Sequence, residues 1–299
     1  MTDDSRPMIA ALWMCGAIVS FTLMAVAGRV VQADMNSFEL MAWRSAVGFL
    51  VISAILWRKG FAQVRTAVPW LHVKRNVFHF AGQNLWFFGL TVIPLAQLVA
   101  LEFTNPIWVA LLAPLLLGEH FTLRRALVAV LGFGGVLIVA NPGAAALNMG
   151  HLAALGAALG FALNTVFTRR LMGHDTVLCV LFWMTASQAV MGGLLGAPGG
   201  IPLPSPALAP WILVVGVTGL TAHYSLTSAL ANAPATMVAP MEFLRLPVVA
   251  VVGALVYGEP LLISVFLGGS VILAANVVNL TGGRRRRTAS PAKEAMGSQ

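Results

Sequence analysis

Long apolar runs, separated by short polar or proline-containing breaks, occupy nearly the whole chain. A run of about 20 apolar residues is long enough to cross a bilayer as a helix. Two of the runs continue through Ile93-Pro94 and Ala233-Pro234, and we divide each of them at its proline. The pattern then predicts ten spans, near residues 8–28, 38–57, 76–93, 95–117, 125–141, 151–168, 177–196, 211–230, 236–257 and 261–280.

The second half of the chain repeats the first at a constant offset. Leu12 and Leu152 lie 140 positions apart, and the same offset, without a gap, relates Arg29 to Arg169. Further matches are Gly16/Gly156, Phe21/Phe161, Trp43/Trp183, Pro94/Pro234, Glu102/Glu242, Phe103/Phe243 and Glu119/Glu259. Each copy holds five predicted spans, and an odd number of spans turns the second copy upside down. The sequence therefore predicts an all-α integral membrane protein with two inverted five-helix repeats, 8–141 and 151–280.

The positions of lysine and arginine predict the orientation of this bundle. With the N-terminus in the cytoplasm, 15 of the 18 basic residues lie in cytoplasmic segments. Arg44 and Arg245 then lie within spans, and Arg29 lies at the outer face. This arrangement follows the positive-inside rule. We expect a multi-pass protein of a bacterial-type inner membrane with both termini in the cytoplasm.

Composition excludes an ordinary soluble protein, because 59% of the residues are apolar and only 9% are charged. The basic residues form short clusters between spans, so we expect lipid rather than nucleic acid as the partner. The polar tail, 282–299, is expected to be disordered, with its arginine run contacting anionic headgroups. Cys15 and Cys179 lie inside apolar segments and are interpreted as core residues. The chain has no phosphate-binding loop and no metal-ligand motif, so we expect no cofactor.

Several short motifs occur at equivalent positions in this layout. Leu117-Gly118-Glu119 ends span four, and Tyr257-Gly258-Glu259-Pro260 follows span nine. Ala42-Trp43-Arg44 lies in span two, and the stretch 135–142 ends span five. Over residues 8–280 the chain resembles the EamA-like transporters of the drug/metabolite transporter superfamily. The resemblance implies a central cavity lined mainly by the first, third and fourth spans of each repeat. It also implies transport of small polar metabolites, commonly outward and often linked to protons.

Four charged residues lie within spans, where charge is costly and marks function or pairing: Arg44, Glu102, Glu242 and Arg245. Glu242 and Arg245 are three residues apart, close enough for a salt bridge or for reading the two charges of an amino acid. Glu102 has Asn105 rather than arginine at that spacing, which favours a protonated or proton-carrying carboxyl. Arg44 can pair with Glu102 or with Glu39. The repeats differ here, because Met184 and Arg245 stand opposite Arg44 and Asn105.

Uncharged polar residues within the spans also need partners inside the bundle. Span three carries His79, Gln83 and Asn84, span six carries Asn164, and Tyr224 lies in span eight opposite Asn84. We interpret these residues, with Asn105, as candidates for lining the transport path. Packing within the bundle is the alternative interpretation for each of them.

These observations predict a secondary transporter, not an enzyme, that moves a small polar metabolite by alternating access between the repeats. Amino acids and their derivatives, vitamins and nucleoside-like compounds fit, and proton coupling is expected. An uptake carrier, for riboflavin or S-adenosylmethionine, is the alternative to an exporter. A membrane scaffold or an intramembrane enzyme is the alternative from another class. The sequence leaves the substrate, the direction and the oligomeric state open.

Overall fold

The computed structural model describes residues 6–117, 122–141, 147–171, 173–196, 201–233 and 235–289. Over these ranges the regular structure is helical, and no strand occurs in them. The helices are α1 (Pro7–Val31), α2 (Ser37–Lys59), α3 (Pro69–Val92), α4 (Leu95–Glu102), α5 (Asn105–Leu117), α6 (Leu123–Ala140), α7 (Met149–Leu171), α8 (Val177–Gly196), α9 (Ala209–Asn232), α10 (Ala235–Phe243), α11 (Arg245–Tyr257) and α12 (Ile263–Ala289). A 3₁₀ turn, Phe61–Val64, joins α2 to α3.

Spans four and nine are each broken into two helices. Pro106 and Pro247 have no backbone N–H, so neither can donate the helical hydrogen bond to the carbonyl four residues earlier. The breaks fall at Phe103-Thr104 and at Leu244, which are equivalent positions in the two repeats. At the first break the Asn276 amide of α12 donates to the carbonyl of Phe103 at 2.9 Å. Such partners are required because an unpaired backbone group is costly at membrane depth.

Helix packing follows the symmetry of the repeat. α1 packs along α9, and its counterpart α7 packs along α3 in the same way. Two other extensive contacts join counterparts to each other, α2 to α8 and α6 to α12, and α4 of the first repeat packs against α11 of the second. Each repeat therefore buries its helices against the other repeat rather than forming a separate bundle.

Within the part of the chain that the structure describes, six helical segments are long and apolar enough to cross a membrane: Pro7–Val31, Ser37–Lys59, Leu95–Leu112, Met149–Thr168, Val177–Gly196 and Ala209–Ala229. Shorter apolar helices cover Ala126–Ala140 and Ile263–Asn279. α3 is long enough but carries several polar residues, most of which are buried: His72, Arg75, Asn76, His79, Gln83 and Asn84. The architecture is that of an all-α membrane protein, for which ten spans remain a consistent description.

The structure differs from the sequence interpretation at two further points. α12 continues as helix to Ala289, through part of the segment expected to be disordered from 282 onward. The four consecutive arginines 284–287 are good helix formers, which favours the extension, although Gly282 and Gly283 before them are not. The rest of that segment, 290–299, lies outside the described residues. Cys179 is buried as expected, whereas Cys15 is exposed on the outer surface of α1 and is not a core residue.

Candidate substrate-binding site

A cavity of about 200 Å³ lies between the two repeats. Most of its lining consists of residues related by the 140-residue offset: Phe21/Phe161, Met24/Asn164, Gln83/His223, Trp86/Leu226, Glu102/Glu242 and Asn105/Arg245. Arg44, His79, Phe87 and Thr165 complete the lining. Because both members of each pair reach the same cavity, the cavity lies on the pseudo-twofold axis of the repeat. An inverted-repeat transporter binds its substrate at this place.

The two broken helices bring a charge pair into the cavity. Glu102 is the last residue of α4, and Arg245 is the first residue of α11. The Arg245 guanidinium donates to Glu102 Oε1 at 2.8 Å, and the Trp86 indole donates to Glu102 Oε2 at 2.8 Å. Arg245 also lies over the rings of Phe21 and Phe103, at 4.8 and 5.0 Å. The described hydrogen-bond partner of Arg245 is therefore Glu102, and not Glu242 as helical spacing suggested.

Glu242 lines the same cavity from the last turn of α10. The helix is interrupted at Leu244, between Glu242 and Arg245. Among the described contacts, the hydrogen bonds of Arg245 go to Glu102 and not to Glu242. The Glu242 carboxyl group therefore lines the cavity without a described hydrogen bond from Arg245.

Arg44 of α2 is a second buried cation at the cavity, with 7% of its surface exposed. It pairs with neither of the carboxylates that the sequence offered. Glu102 pairs with Arg245, and Glu39 closes a capping box with Asn36 at the start of α2. The described contacts of Arg44 are Met41 Sδ at 3.8 Å and the Phe87 ring at 5.7 Å. Within the described residues this guanidinium has no acidic partner, so it can attract an electron-rich group in the cavity.

Polar groups on α3 and α7 face the cavity as predicted. His79 is 2% exposed, its Nδ1 lies 2.6 Å from Gln188 Nε2, and its ring is 6.0 Å from that of His223. Gln83 Oε1 and Asn164 Oδ1 are buried and have no hydrogen-bond partner among the described residues. A buried acceptor without a donor is costly. Both oxygens are therefore positioned to accept hydrogen bonds from a bound molecule or from water.

Eight of the residues singled out from the sequence meet at this cavity: Arg44, His79, Gln83, Glu102, Asn105, Asn164, Glu242 and Arg245. Asn84 and Tyr224 do not. The Asn84 amide donates to the carbonyl of Phe80 in its own helix, at 2.8 Å. Tyr224 is 62% exposed on the outer surface of α9 and packs edge-on against Trp13.

The sequence interpretation left several lining residues out of the candidate site. These are Phe21, Met24, Trp86, Phe87, Phe161, Thr165, His223 and Leu226. Aromatic and apolar residues carry no signal of their own in a membrane protein. The repeat offset supplied one, since Phe21/Phe161 was among the matches that defined it.

Two polar clusters lie outside the cavity, at opposite ends of the bundle. At one end Arg29 forms an ion pair with Glu259. At the other end His72 Nε2 lies 2.8 Å from Asp175 Oδ2, which also accepts from the Thr66 hydroxyl at 2.7 Å. The Cys179 sulfur is a third atom of a kind that can bind a metal ion. The ligand atoms of His72, Asp175 and Cys179 lie within 4.8 Å of one another. The sequence showed no metal-ligand spacing around Cys179 because these residues are far apart along the chain. The two hydrogen-bond donors to Asp175 Oδ2 in this cluster are Thr66 and His72.

The Asp175 carboxyl lies in the loop between α7 and α8. Burial alone would raise its pKa, but the hydrogen bonds from Thr66 and His72 hold that pKa below its usual value. The carboxylate is therefore charged at neutral pH, and this cluster joins α3 of the first repeat to a loop of the second.

Comparison with known proteins follows the same division into two repeats. The model of the EamA-like transporter family matches the chain twice, at residues 8–141 and 148–281. The chain belongs to the EamA-like transporter family. It is 29% identical over 286 residues to a riboflavin transporter of Rhizobium johnstonii, covering 95% of both chains. It is 24% identical over 265 residues to an S-adenosylmethionine uptake transporter of Rickettsia felis, covering 87% of this chain and 88% of the relative.

A pseudopaline exporter of Pseudomonas aeruginosa is 28% identical over 265 residues, covering 87% of this chain and 91% of the relative. The fold also matches a solved crystal structure with a TM-score of 0.62, at 18% identity, over 92% of this chain and 98% of that one. That likeness concerns the fold alone. Family membership and these relatives make the EamA-like chain a membrane transporter of small metabolites.

Proposed function

We propose that this EamA-like chain is a carrier and not an enzyme, and that it takes up a flat heteroaromatic metabolite, riboflavin in the first place. It works by alternating access between its two repeats, in a bacterial inner membrane with both termini in the cytoplasm. The observation that carries the proposal is the cavity on the pseudo-twofold axis, which combines aromatic walls with unpartnered buried polar groups.

The chemistry of the cavity suits a flavin. Phe21, Trp86, Phe87 and Phe161 offer ring faces and edges to a flat tricyclic system. Arg44 can donate to the electron-rich carbonyl edge of an isoalloxazine ring. Gln83 Oε1 and Asn164 Oδ1 can accept from its N–H group and from hydroxyls of a sugar-alcohol side chain. A neutral ligand of this kind satisfies the orphaned groups without adding an unpaired charge.

Three relatives in the comparison are named riboflavin transporters, from Rhizobium johnstonii, Brucella anthropi and Vibrio cholerae, at 29%, 28% and 26% identity. Their names support the choice of substrate. The names of the relatives do not agree on the direction of transport, because one relative is named an exporter. The uptake direction is therefore part of the proposal. Glu242 is the proposed proton carrier, since it lines the cavity and Arg245 donates to Glu102 instead.

Uptake by proteoliposomes tests this function. Purified protein is reconstituted, and riboflavin entry is followed with and without an inward proton gradient. We expect saturable entry that the gradient accelerates, and a loss of that acceleration in Glu242→Gln at unchanged expression and folding. Glu39→Gln is the matched control, because Glu39 lies at a helix cap away from the cavity. Absence of riboflavin entry with folded protein refutes the proposed substrate.

One observation favours a second substrate, S-adenosylmethionine. The cavity holds a carboxyl, Glu242, and a cation, Arg44, each without a described ionic partner. These charges can pair with the cationic and carboxylate groups of a molecule that also carries an aromatic base. Four relatives named S-adenosylmethionine uptake transporters share 24% identity with the chain. Entry of labelled S-adenosylmethionine without entry of riboflavin would establish this second candidate in place of the first.

A further inference from the structure

We infer that Arg29 and Glu259, with Tyr257, form a gate that closes the transport path at the face predicted to be outside. This inference rests on the proposed alternating-access carrier and adds the residues that control one of its two entrances. None of the three residues lines the cavity on the pseudo-twofold axis.

The gate residues join three helix ends from both repeats. Arg29 lies in the last turn of α1, and Glu259 follows α11 of the second repeat. Besides its ion pair with Glu259, Arg29 donates from Nε to the carbonyl of Leu90 at 2.8 Å and from Nη2 to that of Ile93 at 3.1 Å. One guanidinium therefore holds the end of α3 and the end of α11 against the end of α1.

Glu259 and Tyr257 complete the closure. Glu259 Oε2 accepts from the backbone N–H of Leu95, the first residue of α4, at 2.8 Å. The Tyr257 hydroxyl donates to the carbonyl of Val26 at 3.2 Å, and its ring lies 4.5 Å from the Arg29 guanidinium. Only 18% of the Arg29 side chain and 14% of the Glu259 side chain are exposed. Such a partly buried, multiply bonded pair is stronger than an isolated surface salt bridge.

The position of the cluster explains why it acts as a gate. α4 runs from Leu95 at the cluster to Glu102 at the cavity, a rise of roughly 10 Å. A depression of about 490 Å³ opens beside Arg29, Tyr257 and Glu259. A substrate that enters the cavity from this face must pass between α1, the α3–α4 junction and the end of α11. Those are the elements that the three side chains hold together.

The opposite end of the bundle is also closed between repeats. His72, one helical stretch of roughly 10 Å from the cavity residue His79 along α3, is bonded to Asp175 of the second repeat. Both ends are therefore tied in this conformation, and alternating access requires each tie to open in turn. The sequence repeats the gate pair as Arg169 and Glu119. The structure does not describe the Arg169 side chain or Glu119, and the inference does not depend on them.

Accessibility of the cavity from outside tests the gate without knowledge of the substrate. A Thr165→Cys reporter is placed in the cavity wall of a Cys15→Ala/Cys179→Ala background, and intact cells receive a membrane-impermeant maleimide. We expect Glu259→Gln to raise the labelling rate about tenfold. Arg29→Lys should raise the rate as well, because a lysine cannot bond the carbonyls of Leu90 and Ile93 and the Glu259 carboxylate together. Asp175→Asn is the matched control, because it weakens the other cross-repeat cluster, and its rate should stay within twofold of the parent.

The outcomes separate the gate from the proposed function. Unchanged labelling in folded Glu259→Gln and Arg29→Lys overturns the gate. An equal increase in the Asp175→Asn control also overturns it, because the effect would then be a general loosening of the bundle. Protection of the reporter by riboflavin is measured in the same cells. Its absence counts against the proposed substrate and leaves the labelling result for the gate unaffected.

Discussion

The pairing of Arg245 gives a quantitative prediction, because two carboxyl groups compete for one buried guanidinium. Arg245 donates to Glu102 at 2.8 Å, and its side chain is only 3% exposed. Glu242 lies on the wall of the same cavity. We expect Glu102→Gln to destabilise the protein only moderately, because Glu242 can shift to the vacated guanidinium. The double variant Glu102→Gln/Glu242→Gln leaves Arg245 without any carboxylate.

The magnitude follows from the geometry. Removing one partner of a buried ion pair typically costs about 3–5 kcal/mol, because the other charge stays buried. In Glu102→Gln the amide oxygen can still accept one hydrogen bond, and Glu242 can supply the charge, so we expect a cost of about 1–2 kcal/mol. Glu242→Gln alone should cost less than about 1 kcal/mol, since the Glu102 pair is intact. The double variant should approach the full 3–5 kcal/mol.

Equilibrium unfolding in mixed detergent micelles measures these free energies, with fluorescence of the eight tryptophans as the signal. Glu39→Gln serves as a control for the general effect of neutralising a glutamate. The sum of the two single costs should fall short of the cost in the double variant by about 1 kcal/mol or more. Additivity within about 0.5 kcal/mol would show that Glu242 does not share Arg245, and would refute the reasoning.

Three other substitutions have clear expected results. Arg44→Met should raise the thermal unfolding temperature, because it removes a buried cation without a described acidic partner, and should lower riboflavin affinity at least tenfold in a binding titration. Phe161→Leu should weaken flavin binding by about 1–3 kcal/mol, whereas Phe167→Leu, outside the cavity, should not. Gly135→Ala should cost about 1–3 kcal/mol in the unfolding assay, since its new Cβ would lie 2.8 Å from the Gly268 carbonyl oxygen. Gly134→Ala, with no atom within 4 Å, should be neutral or slightly stabilising. The opposite results would contradict each argument.

Sequence alone predicted the fold because two independent signals agreed. Apolar run length fixed the spans, and the offset relating Leu12 to Leu152 fixed their grouping. The sequence pattern predicted spans four and nine as single continuous segments, 95–117 and 236–257. The structure shows interrupted helices: Pro106 cannot donate to the carbonyl of Glu102, and the Asn276 amide of α12 donates to the neighbouring carbonyl of Phe103. A donor from a distant helix cannot be recognised in a local sequence pattern.

The members of the cavity were largely predictable, whereas their pairing was not. Polar residues in an apolar span must face the bundle interior, and this constraint selected Gln83, Asn164 and Glu242, which line the cavity. Helical spacing then suggested Glu242 as the partner of Arg245. Spacing fails as a guide across a helix break, and the break at Leu244 separates these two residues. Tyr224 was misplaced because an aromatic hydroxyl near a lipid face satisfies the same composition argument.

The departures from the repeat carry more functional information than the repeat itself. A perfectly symmetric carrier would place equal charges on both sides of its cavity, and its two access states would be equal in free energy. Here Arg245 replaces Asn105, and Met184 replaces Arg44. Arg44 and Arg245 therefore line the cavity, whereas the equivalent residue in the other repeat is uncharged in each case. Arg245 donates a hydrogen bond to Glu102. Arg44, which has no acidic partner within the described residues, is the proposed contact to the substrate. Replacing Met184 with arginine should accordingly destabilise the fold in the unfolding assay, because Met184 is 4% exposed and lies beside Arg44, so the change buries a second cation without a partner.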